Sequence, residues 1–228
     1  MKKRNAFSVI SYNLRFHKAA VEIEDLASRH KPDIMCLQEC RAEDLPKKIG
    51  KLKLAGRTTI GHQGLATYIN EKRFEIKSVS QPAIRLALWR LIIKEPRQRL
   101  LITEIFDKKT STRILLANFH ATHFIASNYH RRVETQAALT ELSERGTNIP
   151  SVLIGDYNYP LVTKGLHQLV KKFDFHFAKP TSETYKGFGF ADYFDFASYK
   201  NLILKKLETL PFGLSDHAPI HAEFDLSK

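Results

Sequence analysis

Cysteine is scarce: the 228 residues hold only Cys36 and Cys40. Two thiols cannot build a four-thiolate zinc site or the disulfide framework of a small secreted domain. Cys36 lies in an apolar run and reads as a small buried hydrophobe. Long apolar stretches are missing too. The basic opening Met1-Lys2-Lys3-Arg4-Asn5-Ala6 leads into apolar residues broken by Ser8, Ser11 and Asn13. Neither a signal-peptide core nor a membrane span of about 18 residues fits there, so a cytoplasmic protein without stable membrane insertion is expected. No solenoid-period repeat, low-complexity tract or Pro/Gly/Ser linker interrupts the chain, and one domain over residues 1–228, acting as a monomer, is the economical reading. Negative charge is the last shortage. Thirty-six Lys and Arg against 24 Asp and Glu leave a formal net charge of +12, a field that draws in polyanions. Hydrophobic residues at 43% and charged residues at 26% give the balance of a globular domain with a sizeable core.

What is present is a set of short apolar runs that end in polar residues. Phe7 to Ser11 ends in Tyr12-Asn13, Ile34 to Leu37 in Gln38-Glu39, Ile114 to Ala117 in Asn118-Phe119-His120, and Val152 to Ile154 in Gly155-Asp156-Tyr157-Asn158. Such runs, bounded by turn signals, fit strands buried on both faces. Further strands are expected over 64–70, 85–93 and 99–105. Helical spacing of apolar residues predicts helices over 19–30, stopping before Pro32, over 127–145, with Gly146 as the stop, and more weakly over 161–173. Strands alternating with helices argue an α/β fold. In such sheets ligands gather at strand ends, so the polar endings carry the functional signal.

Those endings are Asn13, Glu39, His120, Asp156 with Asn158, and Asp216-His217 in Leu214-Ser215-Asp216-His217-Ala218-Pro219-Ile220. Carboxylates and an amide suit magnesium, which takes one or two carboxylates and keeps several waters. A histidine beside an aspartate suits proton handling or charge stabilisation near neutral pH. Phosphodiester hydrolysis needs these parts: an oxyphilic cation, an activated water, and donors for the charge that builds on phosphoryl oxygens.

Ser11-Tyr12-Asn13, Leu37-Gln38-Glu39, Gly155-Asp156-Tyr157-Asn158 and Ser215-Asp216-His217, in that order, resemble the successive motifs of the endonuclease/exonuclease/phosphatase (deoxyribonuclease-I-like) superfamily, across residues 7 to about 224. The resemblance implies a four-layer α/β sandwich, two packed mixed β-sheets flanked by helices, with one active site at the strand ends. It implies Mg2+ as cofactor, with Mn2+ as a substitute. Glu39 becomes the principal metal carboxylate, Asn13 helps place metal or phosphate, and Asp216 completes the metal site. Asp156 orients or deprotonates the attacking water, Asn158 binds a phosphate oxygen, and His217 hydrogen-bonds the phosphoryl oxygen. His120 matches the histidine near the leaving group, ahead of its rival His123. A further acid that pairs with a histidine is matched by Asp192, on strand parity with Phe194 and Phe196, with Asp195 as competitor.

The lack of a Trp before Gly155 and of any Cys beyond residue 40 sets the chain apart from the inositol-polyphosphate phosphatase branch. Ser11-Tyr12-Asn13 and Tyr159-Pro160-Leu161 differ from the exonuclease III pattern. The expected substrate is DNA. Basic clusters (His130-Arg131-Arg132, Lys47-Lys48 with Lys51 and Lys53, Lys171-Lys172) and aromatics near the motifs (Tyr157, Tyr159, Tyr185, Phe188, Phe190) suit a nucleic acid. Asn118, Arg131, Arg132 and Tyr157 are the expected substrate contacts. The alternatives are a phosphatase or sphingomyelinase-like phosphodiesterase and, from another class, an inactive nucleic-acid-binding module.

Overall fold

A computed structural model describes residues 5–58, 61–84, 99–123, 125–161 and 163–226. The strand expected over 85–93 lies outside these residues. In chain order the strands are β1 (Phe7–Asn13), β2 (Ile34–Cys40), β3 (Lys48–Ile49), β4 (Leu52–Arg57), β5 (Gly64–Asn70), β6 (Phe74–Ser80), β7 (Leu100–Asp107) and β8 (Thr112–His120). They continue with β9 (Ser151–Asp156), β10 (His176–Ala178), β11 (Tyr185–Gly187), β12 (Phe190–Asp192), β13 (Asp195–Lys200), β14 (Leu202–Thr209) and β15 (Ile220–Leu226). The α-helices are α1 (Ile23–His30), preceded by a 3-10 turn over Lys18–Glu22, then α2 (Asn128–Glu144) and α3 (Lys164–Lys172).

One sheet has the order β14-β15-β1-β2-β5-β4-β3 and the second β10-β13-β9-β8-β7-β6; β11 and β12 form a separate hairpin. Alternation decides which side chains meet between the sheets. On β2, Ile34 and Cys36 face the second sheet, where they join Ile114 and Leu116 of β8 and Val152 and Ile154 of β9. The intervening Met35 and Leu37 turn outward onto Ile23 and Ala27 of α1. On the far side, Leu115, Ala117 and Leu153 pack under Ala138, Leu139 and Leu142 of α2 and Leu166 and Val170 of α3. The layers are therefore helix, sheet, sheet, helix: a four-layer α/β sandwich. Among the described residues no helix is long and apolar enough to cross a membrane.

The pattern that makes the interior apolar changes near one end of the strands. Ser11, Gln38 and Asn118 continue the inward parity and form a buried polar layer. Gln38 Nε2 donates to Ser11 Oγ (2.9 Å) and Asn118 Oδ1 (2.8 Å), while Asn118 Nδ2 donates to the carbonyls of Leu37 and Ala66 (both 3.0 Å). Paired buried polar groups of this kind fix how two sheets register. One step further along lie Asn13, His120 and Asp156.

Candidate active site

Two parallel pairs, β1 with β2 and β8 with β9, end side by side. Antiparallel β13 begins there, with Asp195 opposite Asp156 in register. The turn before β15 brings His217 to the same end, tied to Tyr185 by a bridge. Ser215 fixes that turn: its Oγ donates to the Asn13 carbonyl (2.7 Å) and accepts from His217 N (3.1 Å).

Two backbone irregularities aim the acids. By parity Glu39 points outward, onto the helix side. However, the β2–β5 register slips between Leu37 and Cys40, and Glu39 itself takes a left-handed φ of 49°. This bulge turns its carboxylate into the cleft. There Oε1 accepts from Asn13 Nδ2 (3.2 Å) and Oε2 from Phe16 N (3.0 Å). At Gly155, φ is 148° and a Cβ would collide with the Phe119 carbonyl, so only glycine lets β9 approach β8 closely enough to seat Asp156.

The side chains converge tightly. Asn13 Nδ2 donates to Asp156 Oδ2 (2.9 Å), as does Asn158 Nδ2 (2.9 Å), and Asn158 N donates to Asp156 Oδ1 (2.7 Å). His120 Nε2 lies 3.5 Å from Glu39 Oε1 and 3.7 Å from Asp156 Oδ2. His217 Nε2 is 3.7 Å from the same Asp156 oxygen, and its Nδ1 bonds Asp195 Oδ2 at 2.8 Å. Glu39, His120 and Asp156 form one group with ligand atoms within 4.8 Å of one another, and Asp156, Asp195 and His217 form a second. Both could hold a metal ion.

The electrostatics separate the groups. Burial, followed by the neighbouring Asp195 and Glu39 charges, raises Asp156 to about 7, against the opposing pull of His217. Burial also raises Glu39. Burial pushes His217 down, but Asp195 and then Asp156 outweigh it and lift the imidazole to about 10. Burial, with Arg99 and His217 adding like charge, holds His120 well below its ordinary 6.5. Near neutral pH the site thus carries a cationic His217, a neutral His120 and a carboxyl poised between states at Asp156. Pairs of groups driven apart in this way supply acid and base functions together.

Several sequence expectations need correction. Asp192 does not pair with a histidine: its carboxylate accepts from Leu161 N (2.6 Å) and Tyr193 N (2.7 Å), and the acid at His217 is Asp195. Strand parity does not carry through from Asp192, because the chain leaves strand geometry at Tyr193 and Phe194, between β12 and β13. Tyr157 is no substrate contact. Its ring is fully buried against Phe119 and Phe196, and its hydroxyl donates to the Leu153 carbonyl. Asn118 is likewise buried, its amide spent within the polar layer. Arg131 is 2% exposed and holds Asn128 Oδ1 and the His123 carbonyl, and Arg132 donates to Tyr159 OH. Tyr159 and Tyr185 are also buried.

The remaining positions divide by place. Lys48 and Lys53 pair with Glu71 and Lys51 with Asp33, at the opposite end of the first sheet, and Lys171-Lys172 close the last turn of α3. Asp216 sits at the rim, 3.5 Å from Arg15 Nε, outside both metal-capable groups. His123 is exposed on the loop after β8, whereas His120 is in the cluster. Asn158 spends both amide hydrogens, on Asp156 and on the Ala121 carbonyl, and so holds Asp156. Gln38 and Ser215, quoted within the motifs without roles, are the supports beneath them. Their hydrogen-bonding side chains at inward or turn positions were the available signal.

Residues 10–217 match the model of the Endonuclease/Exonuclease/phosphatase family. The chain belongs to this family. Phosphoester hydrolysis is the chemistry that membership supports. Similar solved structures include a functionally unknown conserved protein from Enterococcus faecalis V583 (20% identity, TM-score 0.76, covering 96% of this chain and 99% of that one). Another is the mannosyl-6-phosphatase Bt3783 of Bacteroides thetaiotaomicron VPI-5482 (17%, 0.76, 96% and 99%). A third is D. rerio TDP2 complexed with a single-strand DNA product (13%, 0.72, 96% and 99%). At these identities the likeness shows the fold alone. No curated protein sequence matches the chain.

Proposed function

We propose that this family member is a metal-dependent phosphodiesterase acting on DNA, with Mg2+ as its ion and Mn2+ as a substitute. The observation that carries the reading is the meeting of Asn13, Glu39, His120, Asp156, Asp195 and His217, drawn from both sheets, around one cleft. The donor set fits a hard cation. Glu39 and Asp156 bring carboxylate oxygens close together, burial raises both, and a cation between them relieves that cost. Glu39 and Asp156 are the residues that would hold it, with Asn13 keeping both carboxylates in place. A divalent ion bound there supplies Lewis acidity toward a phosphoryl oxygen.

The chain's own groups supply the rest. Asp156, held in place by Asn13 and Asn158, accepts a proton from the attacking water. Water oxygen bonds to phosphorus, and the bond from phosphorus to the leaving oxygen breaks, that oxygen taking a proton from solvent as it departs. His217, held cationic and oriented through Nδ1 by Asp195, offers Nε2–H to the phosphoryl oxygen as negative charge builds. Neutral His120, beside Glu39, orders the other flank of the cleft. The net charge of +12 supports a polyanionic substrate, as does the reading of TDP2, a fold relative captured with single-strand DNA; mannosyl-6-phosphatase Bt3783 makes a sugar phosphate the principal competitor.

The test is cleavage of supercoiled plasmid and of bis(p-nitrophenyl) phosphate with Mg2+, with and without EDTA. Metal-dependent cleavage of both, lost in Asp156→Ala and His217→Ala, supports the proposal. EDTA-insensitive cleavage, or turnover of mannose 6-phosphate with both diesters untouched, overturns it.

A further inference from the structure

Among the described residues, seven large hydrophobic side chains are more than half exposed. Six of these stand at the active-site end. Phe16 follows Asn13, Ile125 and Tyr129 follow His120, Leu161 follows Asp156, Phe188 tips the β11–β12 hairpin, and Leu214 precedes Ser215. Scattered exposed apolar residues need no explanation, but a concentration around one cleft does. The backbone adds a second observation. Phe16, Leu161 and Phe188 have φ values of 52°, 64° and 47°, a left-handed region that bulky residues rarely adopt. Three of the six side chains are thus presented outward from strained backbone.

These tips are joined to the cleft. Leu161 N donates to Asp192 Oδ2 (2.6 Å) at the base of the hairpin. Tyr185 of the same hairpin pairs with His217 and packs its ring 5.1 Å from the imidazole. Exposed cations adjoin three of the tips: Arg15 and Lys18 beside Phe16, Lys164 beyond Leu161, and Lys186 two residues before Phe188.

We infer that this ring of apolar tips and cations grips an unpaired nucleic-acid strand, with Phe188 stacking on a base next to the cleaved phosphodiester. The inference rests on the DNA-phosphodiesterase reading and narrows its substrate to single-stranded or locally opened DNA. A paired duplex presents phosphates and sugars outward and hides its base faces, so the rings would find nothing to stack on. An unpaired strand offers both, and exposed rings set beside cations suit its bases and phosphates. Lipid insertion calls instead for one continuous apolar face, whereas here the six tips stand on five separate segments of the chain, with exposed cations beside Phe16, Leu161 and Phe188. Base stacking on one aromatic ring changes affinity by about 5- to 150-fold.

The test is fluorescence anisotropy in EDTA, with a short fluorescein-labelled single strand and a hairpin duplex of the same composition. The expected result is tighter binding of the single strand and a loss of about 5-fold or more for Phe188→Ala, with Phe188→Trp retaining affinity. Val79→Ala, an exposed apolar position on β6, serves as the control, and circular dichroism confirms that each variant is folded. Equal affinity for both forms, or an undiminished Phe188→Ala, overturns the inference. So does tight binding to phosphatidylcholine/phosphatidylserine vesicles that Phe188→Ala abolishes. Binding without chemistry is read here, so a failure leaves metal-dependent hydrolysis standing. Conversely, absent hydrolysis with a retained single-strand preference sinks the enzymatic reading alone.

Discussion

Replacing Asp195 with asparagine isolates the contribution of one buried charge. The side chain keeps its shape and can still accept from His217 Nδ1, now 2.8 Å from Asp195 Oδ2, but its negative charge is gone. The next anion, Asp156 Oδ2, lies 3.7 Å from the other ring nitrogen. Two unit charges about 4 Å apart interact by roughly 4 kcal/mol at an effective dielectric constant near 20. Removing one member of a buried pair costs about 3–5 kcal/mol. Part of that cost falls on folding, and part on the transition state, where His217 must stay protonated to offer Nε2–H. The expected loss in kcat is about 10²- to 10³-fold, the scale of deleting one preorganised donor. Asp192→Asn is the matched comparison. Asp192 accepts two backbone N–H groups at the hairpin base, so its loss costs about 0.5–1.5 kcal/mol per bond in local order and leaves kcat within about 10-fold. Both variants are assayed on bis(p-nitrophenyl) phosphate at saturating Mg2+, with thermal midpoints measured alongside. Equal losses, or the greater loss in Asp192→Asn, would refute the assignment of Asp195 as the orienting acid.

Glu39→Gln should raise the half-saturating Mg2+ concentration by about 10-fold or more while binding of single-stranded DNA in EDTA changes little; an unchanged Mg2+ titration contradicts the ligand role. Metal-free protein should lose stability as pH rises from 7 to 9. Folding lifts His217 from 6.5 to about 10, so across this window the folded chain holds a proton that the unfolded chain has released. Asp156 acts in the same direction at lower pH, where neutral His120 opposes it, and Cys36 and Cys40 join only above their ordinary 9. Urea titrations in EDTA at several pH values check this, and Asp195→Asn should flatten the slope. Gly155→Ala should cost roughly 2–5 kcal/mol from strain and overpacking, lowering the thermal midpoint by about 5–15 °C; a midpoint unmoved in calorimetry refutes the close-approach argument.

Period-two alternation carried much of the fold and part of the site. Runs such as Ile34 to Leu37 and Val152 to Ile154 could be read as doubly buried strands because both parities are apolar, one for each packed layer. Strands such as β6 and β14 are not legible in the sequence, since their residues mix exposure and charge at the sheet edges. Alternation predicts side-chain direction only while the strand stays regular, and irregularity decided several assignments. Asp156 extends the inward row of Val152 and Ile154, and His120 that of Leu116 and Asn118, so parity alone brings them together. Glu39 stands on the outward row and enters the cleft only through the β2 bulge. Asp192 and Asp195 exchange places because Tyr193 and Phe194 break the strand between them. The same limit applies to charge: summed over the chain it favours a polyanionic partner, yet Lys48 and Lys53 are spent on Glu71 at the far end. At the cleft the composition instead mixes isolated cations with exposed rings held in left-handed backbone. A field from distributed lysines attracts any polyanion, whereas rings placed between cations discriminate by whether bases are available to stack. On the single-strand proposal, selectivity at this site resides in the loops, above a cluster that alternation, two bulged or glycine-dependent strand ends, and a buried polar layer hold in place.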